Sequence, residues 1–178
     1  MIKAPERNSI QVEIHQVRFH VEDNQRFLQT LRSLGKEDQC TFICFNRNSV
    51  VGKKHVEAAV RFALRSFNSE SPISRSIEVE ALLYAAGTRQ TGLIGSFGIQ
   101  PGENDCYLCI LPPVGRGKTN LCEFMKFVDE ENWEDLPKKK IQDLKRLFGI
   151  TDAEIHVTGI ERISDLILER VALLTINR

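Results

Sequence analysis

A chain of 178 residues, 42% hydrophobic and 27% charged, has material for one domain with a substantial core and too little length for two comfortable ones. The same composition excludes a disordered chain, and no apolar run approaches the roughly 18 residues that a membrane span needs. Lys plus Arg equals Asp plus Glu at 24 each, so there is no global basic field and any contact with nucleic acid must be a local patch.

In chain order, MIKAPERNSI has charge but no apolar core of the signal-peptide kind, which sets the expectation of a cytoplasmic protein with no membrane partner. Ile10, Val12 and Ile14 alternate, and Val17, Phe19 and Val21 resume the alternation one residue out of phase. That pattern predicts a strand with a bulge near His15–Gln16. Asp23 can cap a helix with Phe27, Leu28, Leu31 and Leu34 inward, stopped at Gly35. CTFICF, Cys40 to Phe45, reads as a buried strand.

Helical spacing of Val56, Ala59, Val60, Ala63, Leu64 and Phe67 predicts a helix over about Lys53 to Phe67, broken by Asn68–Pro72. A second helix starts near Ser74 and stops at Gly87. Thr88 can cap a short third one carrying Leu93, Ile94 and Phe97. CYLCILP, Cys106 to Pro112, is an apolar strand. The basic stretch Pro137–Arg146 leads a helix with Ile141, Leu144 and Leu147 inward and Gly149 as its stop; a short strand is expected around Glu154–Val157 and a last helix from about Glu161. Strands and helices mix without strict alternation. The expected fold is therefore α+β (mixed α/β), a single domain with a central mixed, largely antiparallel sheet flanked by helices.

Several chemistries can be weighed from spacing. PPVGRGKT, Pro112 to Thr119, approaches the phosphate-loop pattern, but Pro112 stands where the first glycine must be. Pro has a fixed φ and no N–H, so the segment reads as a basic surface loop. Cys106 and Cys109 are separated by an odd number in a strand and face opposite sides, while Cys40 and Cys44 share a side; all five cysteines read as reduced thiols. His15, His20, His55 and His156 form no local catalytic or metal pattern. The acidic clusters Asp129–Glu131 and Glu134–Asp135 read as a solvated face. No metal, cofactor or catalytic residue is expected, and the chain reads as a binding protein rather than an enzyme.

Two features carry a binding function. Lys53, Lys54, His55, Arg61 and Arg65 lie on one helix, Lys54, Arg61 and Arg65 on one stripe, and Arg75 and Arg89 bracket the next helix. At the other end of the chain Ile160, Ile163, Ile167, Val171 and Leu174, widened by Leu166, make a stripe that either docks on the chain's own sheet or meets a partner.

SRSIEVEALLYAAGTRQ (Ser74 to Gln90), followed by Phe97-Gly98-Ile99, resembles the kinase-binding subunit of the KEOPS complex, the family of the PRPK-binding protein. Glu80, Tyr84, Gly87 and Arg89 carry that pattern, KKHVEAAVRFA (Lys53 to Ala63) and ISDLILERVALL (Ile163 to Leu174) agree in order, and the intact Gly-Thr-Arg-Gln is closest to the archaeal form. Thr91 to Gly95 departs from the pattern, and the Pro112–Asn120 segment has no counterpart in it. The resemblance implies one domain over 1–178 and a non-catalytic subunit whose C-terminal helix, about 161–174, docks on a small atypical kinase/ATPase. It also implies a place beside the other subunits of a complex that makes threonylcarbamoyladenosine in tRNA, and a hold on the tRNA 3′ CCA end. Lys53, Lys54, Arg61, Arg65, Ser74, Arg75, Thr88, Arg89 and Gln90, grouped around one helix start, become expected RNA contacts; Ile160, Ile163, Leu166, Ile167, Arg170, Val171 and Leu174 become expected kinase contacts. The alternatives are a small nucleotide-binding enzyme using Gly117-Lys118-Thr119 and a scaffold that binds protein only.

Overall fold

The structure, a computed structural model, describes residues 12–69, 72–113 and 115–176. Among them four strands and seven α-helices follow in the order β1 (Glu13–Val21), α1 (Asn24–Asp38), β2 (Thr41–Asn46), α2 (Lys53–Phe67), α3 (Ile77–Ala86), β3 (Gly102–Leu111), α4 (Gly115–Leu121), β4 (Lys126–Phe127), α5 (Lys138–Phe148), α6 (Asp152–Thr158) and α7 (Ile163–Leu173). The strands form one sheet in the order β2-β3-β1-β4, antiparallel at every pairing, so the α+β expectation holds with a wholly antiparallel sheet in place of a mixed one.

The sheet is buried on both faces. Tyr107, Cys109 and Leu111 of β3 face a core built with α2, α3, α5 and α7, whereas Cys106, Leu108 and Ile110 face a smaller one with Leu31 of α1 and Leu121 of α4. The two cysteines of Cys106-Tyr-Leu-Cys109 thus lie on opposite faces, and Cys40 and Cys44 both belong to the second core. All five cysteines are free thiols; burial pushes Cys44 and Cys109 up to about 12, which leaves them protonated and unreactive.

This two-sided burial corrects the expected bulge. β1 pairs with β3 without interruption from Glu13↔Ile110 to Val21↔Gly102. Ile14 supplies the first core, and Val17, Phe19 and Val21 supply the second, so the phase change records a switch of buried face, not an extra residue. The Ile10 end of the expected strand lies outside the described residues.

Other boundaries moved for local reasons. Asp23 accepts the Arg26 N–H at 2.9 Å and caps α1 as expected, but the helix runs past Gly35 to Asp38 and stops on Gln39 in the left-handed region. Gly35 is a packing glycine: a Cβ there would sit 2.6 Å from the Cys40 carbonyl oxygen. The expected strand at Glu154–Val157 is α6, opened by a capping box between Thr151 and Glu154. The expected third helix is two 3-10 turns, Thr91–Leu93 and Gly95–Phe97. In α5, Phe148 turns inward and Leu147 stays exposed.

Candidate functional site

The residues singled out in the sequence gather around the α2–α3 pair and the end of the chain. Val56, Ala59, Val60 and Ala63 are fully buried, which fixes α2 on the core and turns Lys53, Lys54, Arg61 and Arg65 outward. No side chain caps α2 from Gly52. The Glu134 carboxylate, distant in sequence, does so instead, accepting the Lys53 N–H at 3.0 Å. Gly52 must lack a side chain for this, since a Cβ would lie 2.3 Å from Glu134 Oε2. Arg61 pairs with Glu57 one turn away, and the Arg65 guanidinium lies 5.9 Å from the Phe62 ring centre.

Ser76 caps α3, and Glu80, fully buried, reaches back to accept the backbone N–H groups of Ile73 at 3.2 Å and Ser74 at 2.7 Å. The buried carboxylate is thereby satisfied, and the segment carrying exposed Arg75 is held in one shape. Tyr84 stacks on Phe62 with ring centres 6.0 Å apart. At the other end Gly87 takes a left-handed φ of 61°; its N–H donates to Tyr84 O and that of Thr88 to Leu83 O, a Schellman stop. Thr88 Oγ1 accepts the Gln90 N–H, so exposed Arg89 and Gln90 leave the helix on a short polar turn.

Sequence reasoning grouped His55 with the basic residues of α2, and its position in the core corrects that. It is completely buried, accepts the Val51 N–H on Nδ1 at 3.2 Å and donates from Nε2 to Ala85 O at 2.9 Å. It locks the start of α2 to the last turn of α3, and so carries Lys53 and Lys54 to the Thr88–Gln90 end. Burial lowers its pKa to about 4, so the ring is neutral. No pattern of neighbours in sequence signals a structural histidine of this kind.

These positions correct the expectation of one basic group around a single helix start. Arg75 precedes α3 and Arg89 follows it, and ten helical residues separate the two ends by about 15 Å. Neither arginine makes an ion pair among the described residues.

The C-terminal stripe is corrected too. Ile163, Leu166, Ile167, Val171 and Leu174 are buried against α2, α3 and α5, because a helix this apolar finds cover on its own core. What remains outside is Ile160 at 43% exposure, Leu173 at 37% and Ile176 at 75%. Arg170 is half-buried and ion-paired to Glu154, whose carboxyl is brought to about 2 by the Thr151 N–H first and then by Arg170. Gly87 lets α7 approach: a Cβ there would be 3.3 Å from both Cβ and O of Arg170. A cleft of about 270 Å³ opens at this crossing, lined by Gly87, Thr88, Leu93, Leu147, Phe148 and Arg170.

The part of the expected loop from Gly115 to Thr119 is helical. Gly117, Lys118 and Thr119 lie within α4, and Lys118 sits 3.7 Å from Asp129 and 4.7 Å from the Phe127 ring centre. A phosphate loop must wrap its backbone ahead of a helix, which these residues do not do. Among the described residues no three His, Cys, Asp or Glu side chains gather to hold a metal, and no helix is long and apolar enough to cross a membrane.

A family model, "Kinase binding protein CGI-121", matches residues 19–175. The chain belongs to the CGI-121 family. The match runs from within β1 to beyond α7 and contains every residue placed above on α2, α3 and α7. No curated protein matches the chain. Within this CGI-121 chain, Glu80, Tyr84 and Gly87 hold structural duties: pinning the loop before α3, packing against α2, and admitting α7.

Proposed function

We propose that this chain is a non-catalytic accessory subunit of a KEOPS-type complex for tRNA threonylcarbamoyladenosine modification. In this reading it binds the small kinase/ATPase subunit at its α6–α7 end and holds the tRNA 3′ CCA end on the α2–α3 surface. The observation that carries the reading is the match over residues 19–175 to CGI-121, a family of kinase-binding proteins. The exposed, uncommitted cations at both ends of α3 suit single-stranded RNA, which is held by positive tracks and base contacts.

For the kinase, the reading assigns the contact to the exposed edge of the last helix and the turn before it. Ile160→Glu combined with Leu173→Glu is expected to abolish co-purification with the kinase subunit while leaving the thermal transition and tRNA binding intact. A folded double variant that still retains the kinase would refute the assignment. Ile167 is no test of it, being wholly enclosed.

For RNA, loss of both Arg75 and Arg89 is expected to weaken tRNA binding about tenfold or more. The salt dependence should become shallower by about 1.4 in log–log slope, two contacts at roughly 0.7 each. Kinase binding should not change. Unaltered tRNA affinity in this variant would favour a protein-only scaffold. A gel shift of intact tRNA against tRNA lacking its CCA end then reports whether the 3′ end is what the surface holds.

A further inference from the structure

In the sheet, β2 is an edge strand: among the described residues it pairs with β3 on one side and with no strand on the other. Its sequence TFICFN has no charge and no proline, and its register from Thr41↔Leu111 to Asn46↔Cys106 has no bulge. Charge, proline and bulges are what usually blunt an edge, so this strand is left as a template for another. In an antiparallel pair alternate residues turn their backbone N–H and C=O away from the partner. Between Thr41 and Cys44 those groups have no partner outside β3 among the described residues.

The edge lies in a groove between α1 and α3. Two adjoining cavities, about 420 and about 210 Å³, share Leu31, Arg32, Phe42 and Glu78 in their walls. The smaller one touches Phe42, Ile43 and Cys44 in succession. Successive strand residues face opposite sides of a sheet, so a cavity that meets all three runs along the strand's edge.

The two ends of the groove differ in chemistry. Leu28, Leu82, Ile94 and Ile99 make the Cys44 end apolar, and Leu28 is 39% exposed. At the Thr41 end stands Lys36, exposed and without an ion pair among the described residues. The one carboxylate described in either wall, Glu78, faces Arg32 at 3.6 Å. That pair is long and screened by solvent, so an entering chain can part it. The walls therefore carry one uncompensated positive charge, at Lys36.

Leu28 and Lys36 are eight residues apart on α1, about 12 Å. An extended chain covers that span in about four residues. We propose that the β2 edge takes an extended peptide segment of a partner protein as an added strand, with an apolar side chain at Leu28 and a carboxylate four residues away at Lys36. Strand addition draws affinity from main-chain hydrogen bonds and specificity from side-chain pockets, and the groove offers both. A second copy of the chain is a poorer occupant: its own β2 lies between α1 and α3, and those walls hold two such edges apart.

The probe is a fluorescein-labelled peptide of nine residues, threonine and valine throughout except for leucine at the third position and aspartate at the seventh. It is made in both orders, leucine first and aspartate first, and titrated with the whole chain by fluorescence anisotropy. Saturable binding of one order is expected. Lys36→Glu and Leu28→Asp, both at exposed positions, should each weaken it at least tenfold with the circular dichroism spectrum unchanged. Lysine in place of the peptide's aspartate should restore binding to Lys36→Glu. Only every second peptide N–H faces β2, so N-methylation at one set of alternate positions should abolish binding and at the other set leave it. No saturable binding of either order overturns the proposal, as does equal response to the two N-methylated sets. Dimerisation of the chain without peptide, lost in Leu28→Asp, would give the edge to a second copy and likewise overturn it.

Discussion

Lowering the pH from about 6.5 to 4 is expected to remove about 3 kcal/mol of stability through His55 alone. The ring is completely enclosed, Nδ1 is occupied as an acceptor by the Val51 N–H, and Nε2 already carries the proton given to Ala85 O. A second proton on Nδ1 would displace the Val51 N–H and place a charge beside Phe148, whose ring centre is 5.8 Å away. Burial accordingly lowers the folded-state pKa to about 4, opposed by the Ala85 carbonyl and reinforced by the Lys140 charge.

The unfolded chain has a histidine pKa near 6.5, so between about pH 6.5 and 4 it binds a proton that the folded chain refuses. Stability from this residue is complete above about 6.5 and falls as the pH approaches 4. Urea unfolding of the wild-type chain and of His55→Leu across that range isolates the contribution, because carboxylate titrations common to both cancel. At pH 7 the variant should be less stable by about 2–4 kcal/mol, having left Val51 N–H and Ala85 O unpaired in the core. The gap should shrink steadily as the pH falls. A gap that stays constant would mean His55 charges freely in the folded state.

Gly87→Val is expected to cost about 2–4 kcal/mol, a fall in the thermal midpoint of roughly 5–15 °C. Two effects add. A β-branched residue at φ of 61° is strained by about 1–2 kcal/mol, and its Cβ would press at 3.3 Å on Cβ and O of Arg170. The second effect pushes α7 away from α3, so kinase co-purification should decline along with stability. Gly87→Asn tolerates the left-handed conformation better and separates the terms. If both variants behave alike, the left-handed strain contributes little and the Cβ contact with Arg170, common to both, carries the cost.

Much of the helical framework was legible because its signals are local. Lys53–Phe67 begins and ends where its apolar spacing does, Asp23 caps α1, and Gly149 ends α5 in the left-handed region. Gly35 misled because an isolated glycine can mark either a helix stop or a close neighbour, and only the position of the Cys40 carbonyl tells which. The capping box at Thr151–Glu154 was available in sequence, and it outweighs the short apolar run that suggested a strand. Among the candidate binding residues, exposure of Lys53 and Lys54 was readable from helical phase, and the placing of Arg75 and Arg89 on either side of α3 from its start and stop signals. The position of Lys53 and Lys54 relative to α3 was not, since that depends on His55 joining α2 to Ala85.

By itself the sequence determined the α+β class, the bounds of α2, the faces of the paired cysteines and the motif that places the chain in its family. Each rests on spacing within a few residues, which chain geometry converts directly into a face or a cap. Only the tertiary structure decided that the C-terminal stripe is core, that β1 is buried on both sides without a bulge, and that Glu134, Glu80 and His55 hold the site together. Apart from Glu80, whose partners are near in sequence, those outcomes join distant residues, His55 and Ala85 being 30 positions apart and Lys53 and Glu134 81. What such a residue does is set by the packing of whole helices on the sheet, and no local pattern encodes it.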